Sequence, residues 1–275
     1  MPKKRNPGSY TVARTGEEGT GLTKELSAGF SNMQQEFYQK LERALSTERL
    51  SVYGADNPGS CIVMARYLWN IAVCESLYSP LQMCEVALRN AIHMTMSTLY
   101  GRATWYESGE LSAWGGLQVR EAKAKIADSG KIESAGRIVA ELNFGFWTSL
   151  FEDHYERNTR FLPRGIKMVF PGMPKSLHNR KRIKAHLESI RQLRNRVFHH
   201  ERIIHWKDLP DQHAHIIESI GWISPELFEM ALKLDRFLET HKLGIDPWIA
   251  KLRNHWPAKP SQSGDAGPDA APEQA

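Results

Sequence analysis

Apolar residues recur every three or four positions through most of the chain, whereas no run alternates apolar and polar side chains as a half-buried strand would. The strongest case lies between residues 62 and 99, where apolar residues dominate. Pro80 falls inside this segment, and proline is tolerated best in the first turn of a helix. We therefore expect one helix to end before Pro80 and another to begin at it and run to Gly101. The periodicity predicts an all-α fold.

Six more helices follow from the same spacing and from capping residues. They are expected near residues 37–45, 117–128 and 134–160, and from Ser176, Pro210 and the pair Ser224-Pro225 onward. The helix near 134–160 carries a stripe of aromatic residues. Such a stripe is more often core packing than a platform for nucleic-acid bases, so we favour a core position.

The two ends of the chain differ in composition from the rest. Residues 1–22 are rich in Gly, Thr and charge, and residues 257–275 form a low-complexity tail of Pro, Ala and acidic residues. Neither segment carries enough apolar surface to offset the entropy cost of ordering it. We expect both to be disordered, and residues 23–256 to form the folded domain.

Composition restricts the class of protein. The chain has 275 residues, 41% of them hydrophobic and 24% charged, which is enough to bury a core, and no window approaches the roughly 18 apolar residues that a membrane helix needs. Cys61, Cys74 and Cys84 form no C-x-x-C pair, which argues against a disulfide framework or a zinc–thiolate site. His213 and His215 lack a third ligand at suitable spacing. We expect a cytoplasmic protein with no membrane association, no cofactor and no metal.

The residues best suited to catalysis lie in one short polar motif. Residues 191–203 read RQLRNRVFHHERI, in which Arg194 and His199 form an R-x4-H pair with Asn195 directly after the arginine. A guanidinium grips phosphate, and an imidazole moves a proton near neutral pH, so together they suit phosphodiester cleavage. We assign proton transfer to His199, with the adjacent His200 as the alternative.

The motif lies in a strongly basic segment. Residues 175–207 hold ten Lys or Arg and two acidic residues, a net +8, while the whole chain is +5. Concentrated positive charge is typical of a polyanion-binding surface, although a solvated basic helix face has the same composition. The side chains expected to contact RNA are Arg180, Lys181, Arg182, Lys184, Arg191, Arg196 and Arg202.

A second polar group lies far upstream, where Arg89, Asn90 and His93 partly repeat the motif. Glu85 precedes Arg89 by four residues, the spacing of a structural ion pair on one helix, and we favour that interpretation. The alternative is that Glu85 or Asn90 faces the catalytic helix as an accessory residue and tunes it.

Three segments together resemble the Abi-like (abortive infection) family of the HEPN superfamily of helical RNA-acting proteins. They are YLWNIAVCESLYSPLQMCEVALRNAIH (67–93), ELNFGFWTSLFEDHY (141–155) and LRNRVFHHERI (193–203). The R-x4–6-H pattern of the superfamily falls on Arg194 and His199. The resemblance implies an α-helical HEPN-like bundle with additional helices, a homodimer that sets two such motifs at one cleft, and metal-independent cleavage of RNA.

RNA carries its own nucleophile, the 2′-hydroxyl, so no metal is needed to activate water. We expect His199 to transfer the proton, Arg194 to hold the phosphate, and Asn195 to orient the imidazole or a phosphate oxygen. The leading hypothesis is an RNase toxin or phage-defence effector, with a possible neutralising antitoxin or other regulatory partner. The alternative is a non-catalytic RNA-binding or regulatory HEPN module. A protease is disfavoured because H-E-x-x-H is absent.

Overall fold

The computed structural model describes residues 32–255 except positions 57, 158, 160 and 163. The segments expected to be disordered, 1–22 and 257–275, lie outside the described residues. All the regular secondary structure in the described part is helical, so the predicted all-α class is confirmed. No helix in that part is long and apolar enough to cross a membrane.

The helices are numbered here in chain order, and two single turns of 3-10 helix, Trp105–Glu107 and Lys175–Leu177, lie between them. They are α1 (Asn32–Leu45), α2 (Thr47–Ser51), α3 (Ser60–Tyr100), α4 (Ala113–Asp128), α5 (Ala135–Glu141), α6 (Phe144–Ser149), α7 (His154–Arg157), α8 (Arg164–Val169), α9 (Arg180–Phe198), α10 (Leu209–Ile223), α11 (Pro225–Leu234), α12 (Phe237–Leu243) and α13 (Asp246–His255).

The described residues divide into two compact units, those within 1–63 and 252–275 forming the first and those within 64–251 the second. In the first, Ser46 separates α1 from α2, and its hydroxyl accepts a hydrogen bond from the Arg49 N–H (3.2 Å). The second contains the main hydrophobic core, which runs from Val73 to Phe237.

Pro80 lies inside α3 rather than at the start of a new helix, so the expectation of two separate helices is wrong. Proline in a helix interior costs about 3 kcal/mol. Leu77 and Leu81 on either side of it are fully buried, and the same stripe continues through Leu88 and Ile92. Each such side chain contributes about 1.5–3 kcal/mol on burial, so packing along the stripe outweighs the local cost.

The long helix expected near 134–160 is divided into α5, α6 and α7. Asn143 causes the first break, since its side chain accepts a hydrogen bond from the Phe146 N–H (3.0 Å) and caps a new helix. The aromatic stripe is nevertheless buried as expected. The Trp147 ring packs edge-on against Phe146, with 5.0 Å between ring centres.

The basic helix α9 begins later than expected. Ser176 lies in a 3-10 turn, and Asn179 caps α9 by accepting a hydrogen bond from the Arg182 N–H (3.2 Å). Its apolar face packs against α6 and α10. Helices α10 and α11 begin where Pro210 and Ser224-Pro225 predict them. The packing of α9 fixes where its last turn, and therefore the R-x4-H motif, lies.

Candidate active site

The R-x4-H motif lies at the C-terminal end of α9. Phe198 is the last helical residue, and His199 is the C-cap, with its N–H bonded to the Asn195 carbonyl (2.9 Å). The chain then leaves the helix through a Schellman motif, in which the Glu201 N–H bonds to the Arg196 carbonyl (2.9 Å).

In this motif His200 occupies the left-handed position, with φ 57°, where glycine is the usual residue. The His200 N–H bonds to the Val197 carbonyl (3.2 Å). Both His199 and His200 are exposed. The end of the helix therefore presents two adjacent imidazoles to solvent.

Arg194 is held one turn earlier by a residue of α3. Its Nε donates to Glu85 Oε2 (3.2 Å), and the two side chains are 26% and 22% exposed. The guanidinium carbon also lies 4.5 Å from the centre of the Phe198 ring. Since Nε carries one of five guanidinium N–H donors, the four on the terminal nitrogens suit a two-pronged grip on phosphate oxygens.

This contact corrects our interpretation of the upstream polar group. We favoured a Glu85–Arg89 pair within one helix, but Glu85 instead contacts Arg194 across 109 positions of sequence. The alternative interpretation, in which Glu85 faces the motif helix, agrees with the observed contact. Asn90 is exposed on α3 and lines an apolar groove of about 460 Å³ with Met94 and Leu227.

Asn70 was missed by the sequence reasoning. It is 3% exposed, and its Nδ2 donates to the Glu201 carbonyl (3.2 Å) while its Oδ1 accepts from the N–H groups of Ile203 (2.8 Å) and Ile204 (3.3 Å). The side chain therefore fixes the backbone that directly follows His200. A polar residue inside the nearly all-apolar first part of α3 was the available signal.

Inside the motif, a second arginine, Arg196, is also paired with an acidic residue. Arg196 bonds to Glu201 (2.8 Å) and lies over the Trp206 ring at 5.2 Å. His205 follows on the same loop, where burial and the nearby charges of Arg202 and Arg196 lower its pKa below the usual histidine value. Its neutral form is thereby favoured.

The structure corrects one residue of the expected RNA-contacting set. Arg180 is only 6% exposed and lies 2.6 Å from Asp153 and 2.8 Å from Glu156, while it also donates to the Phe151 carbonyl (3.1 Å). These contacts fasten the start of α9 to the segment after α6. Arg180 is a structural anchor and is not presented to a ligand.

Several other basic side chains have acidic neighbours. Arg191 bonds to Glu188 (2.9 Å), and Lys184 lies 3.6 Å from Glu152. Because Glu152 lies outside the basic segment, a count of charges within that segment overstates its uncompensated charge. Lys181 and Arg182 are exposed, but at about 1.5 Å per residue they lie about 27 Å along α9 from His199.

The two histidines of α10 point to different partners. His213 is buried and lies 3.0 Å from Asp235, whereas the His215 ring lies against that of His186, with 4.6 Å between ring centres. Within the described ranges, no group of three or more His, Cys, Asp or Glu side chains is arranged to hold a metal ion.

Comparison of the chain with protein-family models, with curated proteins and with solved structures finds no match in any of the three. The resemblance to the Abi-like family therefore stays a prediction, and we infer the function from the geometry at the end of α9.

Proposed function

We propose that the chain is a metal-independent endoribonuclease of the HEPN type that acts as a toxin or phage-defence effector. The observation that carries the proposal is the last turn of α9. It combines an arginine anchored by Glu85 with the exposed imidazoles of His199 and His200. An anchored guanidinium loses little further entropy when it binds a phosphate, and solvent-facing imidazoles are accessible to a substrate.

In the proposed reaction, the 2′-hydroxyl oxygen of the substrate attacks the adjacent phosphorus while an imidazole takes the hydroxyl proton. The bond from phosphorus to the 5′-oxygen breaks, and a protonated imidazole supplies a proton to that oxygen. His199 fills one of these roles, and His200 or a histidine of a second chain fills the other. The products are a 2′,3′-cyclic phosphate and a 5′-hydroxyl.

Arg194 binds the non-bridging phosphate oxygens and stabilises the charge that builds on them. Asn195, directly after it, orients the imidazole or a phosphate oxygen. Glu85 keeps the guanidinium in place through Nε. Asn70 bonds to the loop after His200, so it fixes the backbone beside the two histidines.

The proposal includes a homodimer that brings two motifs to one cleft, and a neutralising or regulatory partner that controls the activity. Sedimentation of the active protein tests the first point. A species that remains monomeric at micromolar concentration and still cleaves RNA removes the dimer from the proposal.

RNA cleavage in the presence of EDTA tests the proposed activity. Unsubstituted protein should cleave, and His199→Ala should lower the rate of the chemical step by about 10²–10⁴-fold while RNA affinity changes little. His154→Ala is the matched control, because His154 is an exposed histidine on α7 that bonds to the Glu110 carbonyl.

Two outcomes contradict this activity. Equal cleavage by His199→Ala and unsubstituted protein would remove His199 from the mechanism. RNA binding without any cleavage would favour the alternative, a non-catalytic RNA-binding HEPN module.

A further inference from the structure

Three planar side chains, Arg194, Phe198 and Tyr78, lie in contact at the motif. The guanidinium carbon of Arg194 lies 4.5 Å from the centre of the Phe198 ring, and that centre lies 5.3 Å from the centre of the Tyr78 ring, with 31° between the ring planes. Tyr78 comes from α3 and Phe198 from the last position of α9. The array therefore links the proposed phosphate-binding arginine to an aromatic ring on another helix.

Tyr78 forms the open end of this array. Its side chain is 50% exposed, whereas Phe198, which contacts both Tyr78 and Arg194, is partly buried. Trp105 and Trp147 of the same unit, by contrast, are fully buried in the core. A half-exposed ring in contact with a second ring offers a flat surface whose rotation is restricted, since Phe198 packs against Tyr78.

Unpaired nucleobases stack on such surfaces. Stacking on an aromatic side chain is tolerant of sequence because every base has a flat face, and it requires that the base be free of its own helix. In a duplex the bases are already stacked and paired, so they cannot reach a ring on the protein surface without being unpaired.

The distance between the two ends suits one substrate strand. Arg194 and Tyr78 lie no more than about 10 Å apart through Phe198, and a stacked strand advances about 3.4 Å per nucleotide. A strand with its scissile phosphate on Arg194 can therefore place a base on Tyr78 from within about three nucleotides of the cut.

We propose that Tyr78 is a nucleobase-stacking platform that receives an unpaired base near the scissile phosphate, so that the substrate is single-stranded RNA. The proposal rests on the proposed RNA-cleaving function and adds to it the class of RNA and a binding residue. Tyr78 acts on binding and takes no part in proton transfer.

The test measures the affinity of a short single-stranded RNA for the His199→Ala protein, in which binding is observed without turnover. Adding Tyr78→Ala should weaken binding by about 5- to 150-fold, the range for one stacked base. Tyr78→Phe keeps the ring and should stay within a few-fold of the parent. Trp114→Ala is the matched control, because Trp114 is also a half-exposed aromatic residue, on α4.

A second set of RNAs carries one abasic position each, scanned along the strand. In the His199→Ala parent, which keeps Tyr78, the abasic change at one position should weaken RNA binding as much as Tyr78→Ala does. In the protein that also carries Tyr78→Ala, the same abasic change should weaken binding little further. A duplex of the same sequence should bind more weakly than the single strand.

The proposal is overturned if the Tyr78→Ala protein binds the single strand as tightly as its parent, or if the unsubstituted chain binds no RNA. It is also overturned if Tyr78→Ala lowers the affinity equally for the RNAs with every abasic position. Failure of the cleavage proposal is distinguishable from these results. If the protein never cuts RNA but its RNA binding depends on Tyr78 and on one base, the stacking proposal is supported and the ribonuclease proposal is rejected.

Discussion

At the scale of single residues, His200 is one of the two non-glycine residues with positive φ in the described part of the chain, and the other, Ser46, lies in the first unit. A side chain in the left-handed region costs about 1–2 kcal/mol, and glycine is the residue that usually ends a helix in this way. A strained residue beside a polar motif is a reason to infer function. His200 is therefore one of the two candidates for the second proton-transfer group of the proposed reaction, beside a histidine of a second chain.

Replacing His200 separates strain from function. His200→Gly should raise the free energy of unfolding by about 1 kcal/mol, since glycine adopts the same backbone conformation without the steric cost, and should lower the RNA cleavage rate. His200→Ala is the control, because it removes the imidazole and keeps the strained Cβ. Urea unfolding measures the first effect. A His200→Gly protein less stable than the parent would mean that the imidazole stabilises the helix end by more than the strain costs.

The sequence predicted some residues of the site and not others. Arg194, Asn195, His199 and His200 follow from a local pattern, and the structure places them together at one helix end. Glu85 at the motif helix is an alternative that the sequence leaves open, but neither its pairing with Arg194 nor the Asn70 hydrogen bonds follow from a local pattern, because the partners lie more than 100 positions apart.

At the scale of elements, α9 is fastened at both ends by arginines with different partners. Arg180 ties its first turn to Asp153 and Glu156, and Arg194 ties its last turn to Glu85. The first contact is structural. The second lies in the candidate active site, so the same residue type has two roles on one helix.

Substitutions at the start of α9 should separate stability from binding. Arg180→Ala removes charge-assisted hydrogen bonds of a buried guanidinium and should lower the free energy of unfolding by about 1–3 kcal/mol. The double substitution Lys181→Ala with Arg182→Ala should change it by less than about 0.5 kcal/mol. Denaturant unfolding of both proteins measures these changes.

The same double variant should bind RNA more weakly, and the slope of log affinity against log salt should become shallower by about 0.7 for each phosphate that the variant no longer neutralises. An unchanged slope would show that Lys181 and Arg182 are solvated surface residues.

Periodicity predicted which segments are helical better than it predicted where helices begin and end. Pro80 predicts a boundary from local sterics, but the buried stripe of α3 overrides it. The apolar pattern predicts that the helix continues through Asn143. The helix ends there because the Asn143 side chain caps the next one, accepting a hydrogen bond from a backbone N–H that has no partner within that helix. Boundaries depend on such competitions between local and tertiary interactions, which a pattern does not measure.

At the scale of the whole molecule, we expect a partly buried histidine between α9 and α10 to make stability depend on pH. His186 Nε2 lies 2.8 Å from Ser219 Oγ and 3.1 Å from the His215 carbonyl oxygen. Burial, followed by the charge of His215, lowers the pKa of His186 to about 4. The folded state therefore binds its proton less readily than the unfolded chain, whose histidines titrate near pH 6.5.

Because the unfolded state binds more protons between about pH 6.5 and pH 4, the free energy of unfolding should fall as the pH is lowered through this window. The contribution of His186 is at most about 3 kcal/mol. His186→Gln removes this titration, so its unfolding free energy should change less between pH 7.5 and pH 4.5 than that of the parent. Equal slopes for both proteins would contradict the assignment.

The proposed mechanism depends on RNA supplying its own nucleophile to a site built from Arg194 and His199. The most direct measurement is cleavage, in EDTA, of an RNA with a single 2′-deoxy nucleotide on the 5′ side of the scissile phosphate. We predict that this cut disappears while binding stays nearly unchanged, because only the attacking hydroxyl is removed. Cleavage of the deoxy-substituted strand as fast as the all-RNA strand, or activity that EDTA abolishes and magnesium restores, would contradict this mechanism.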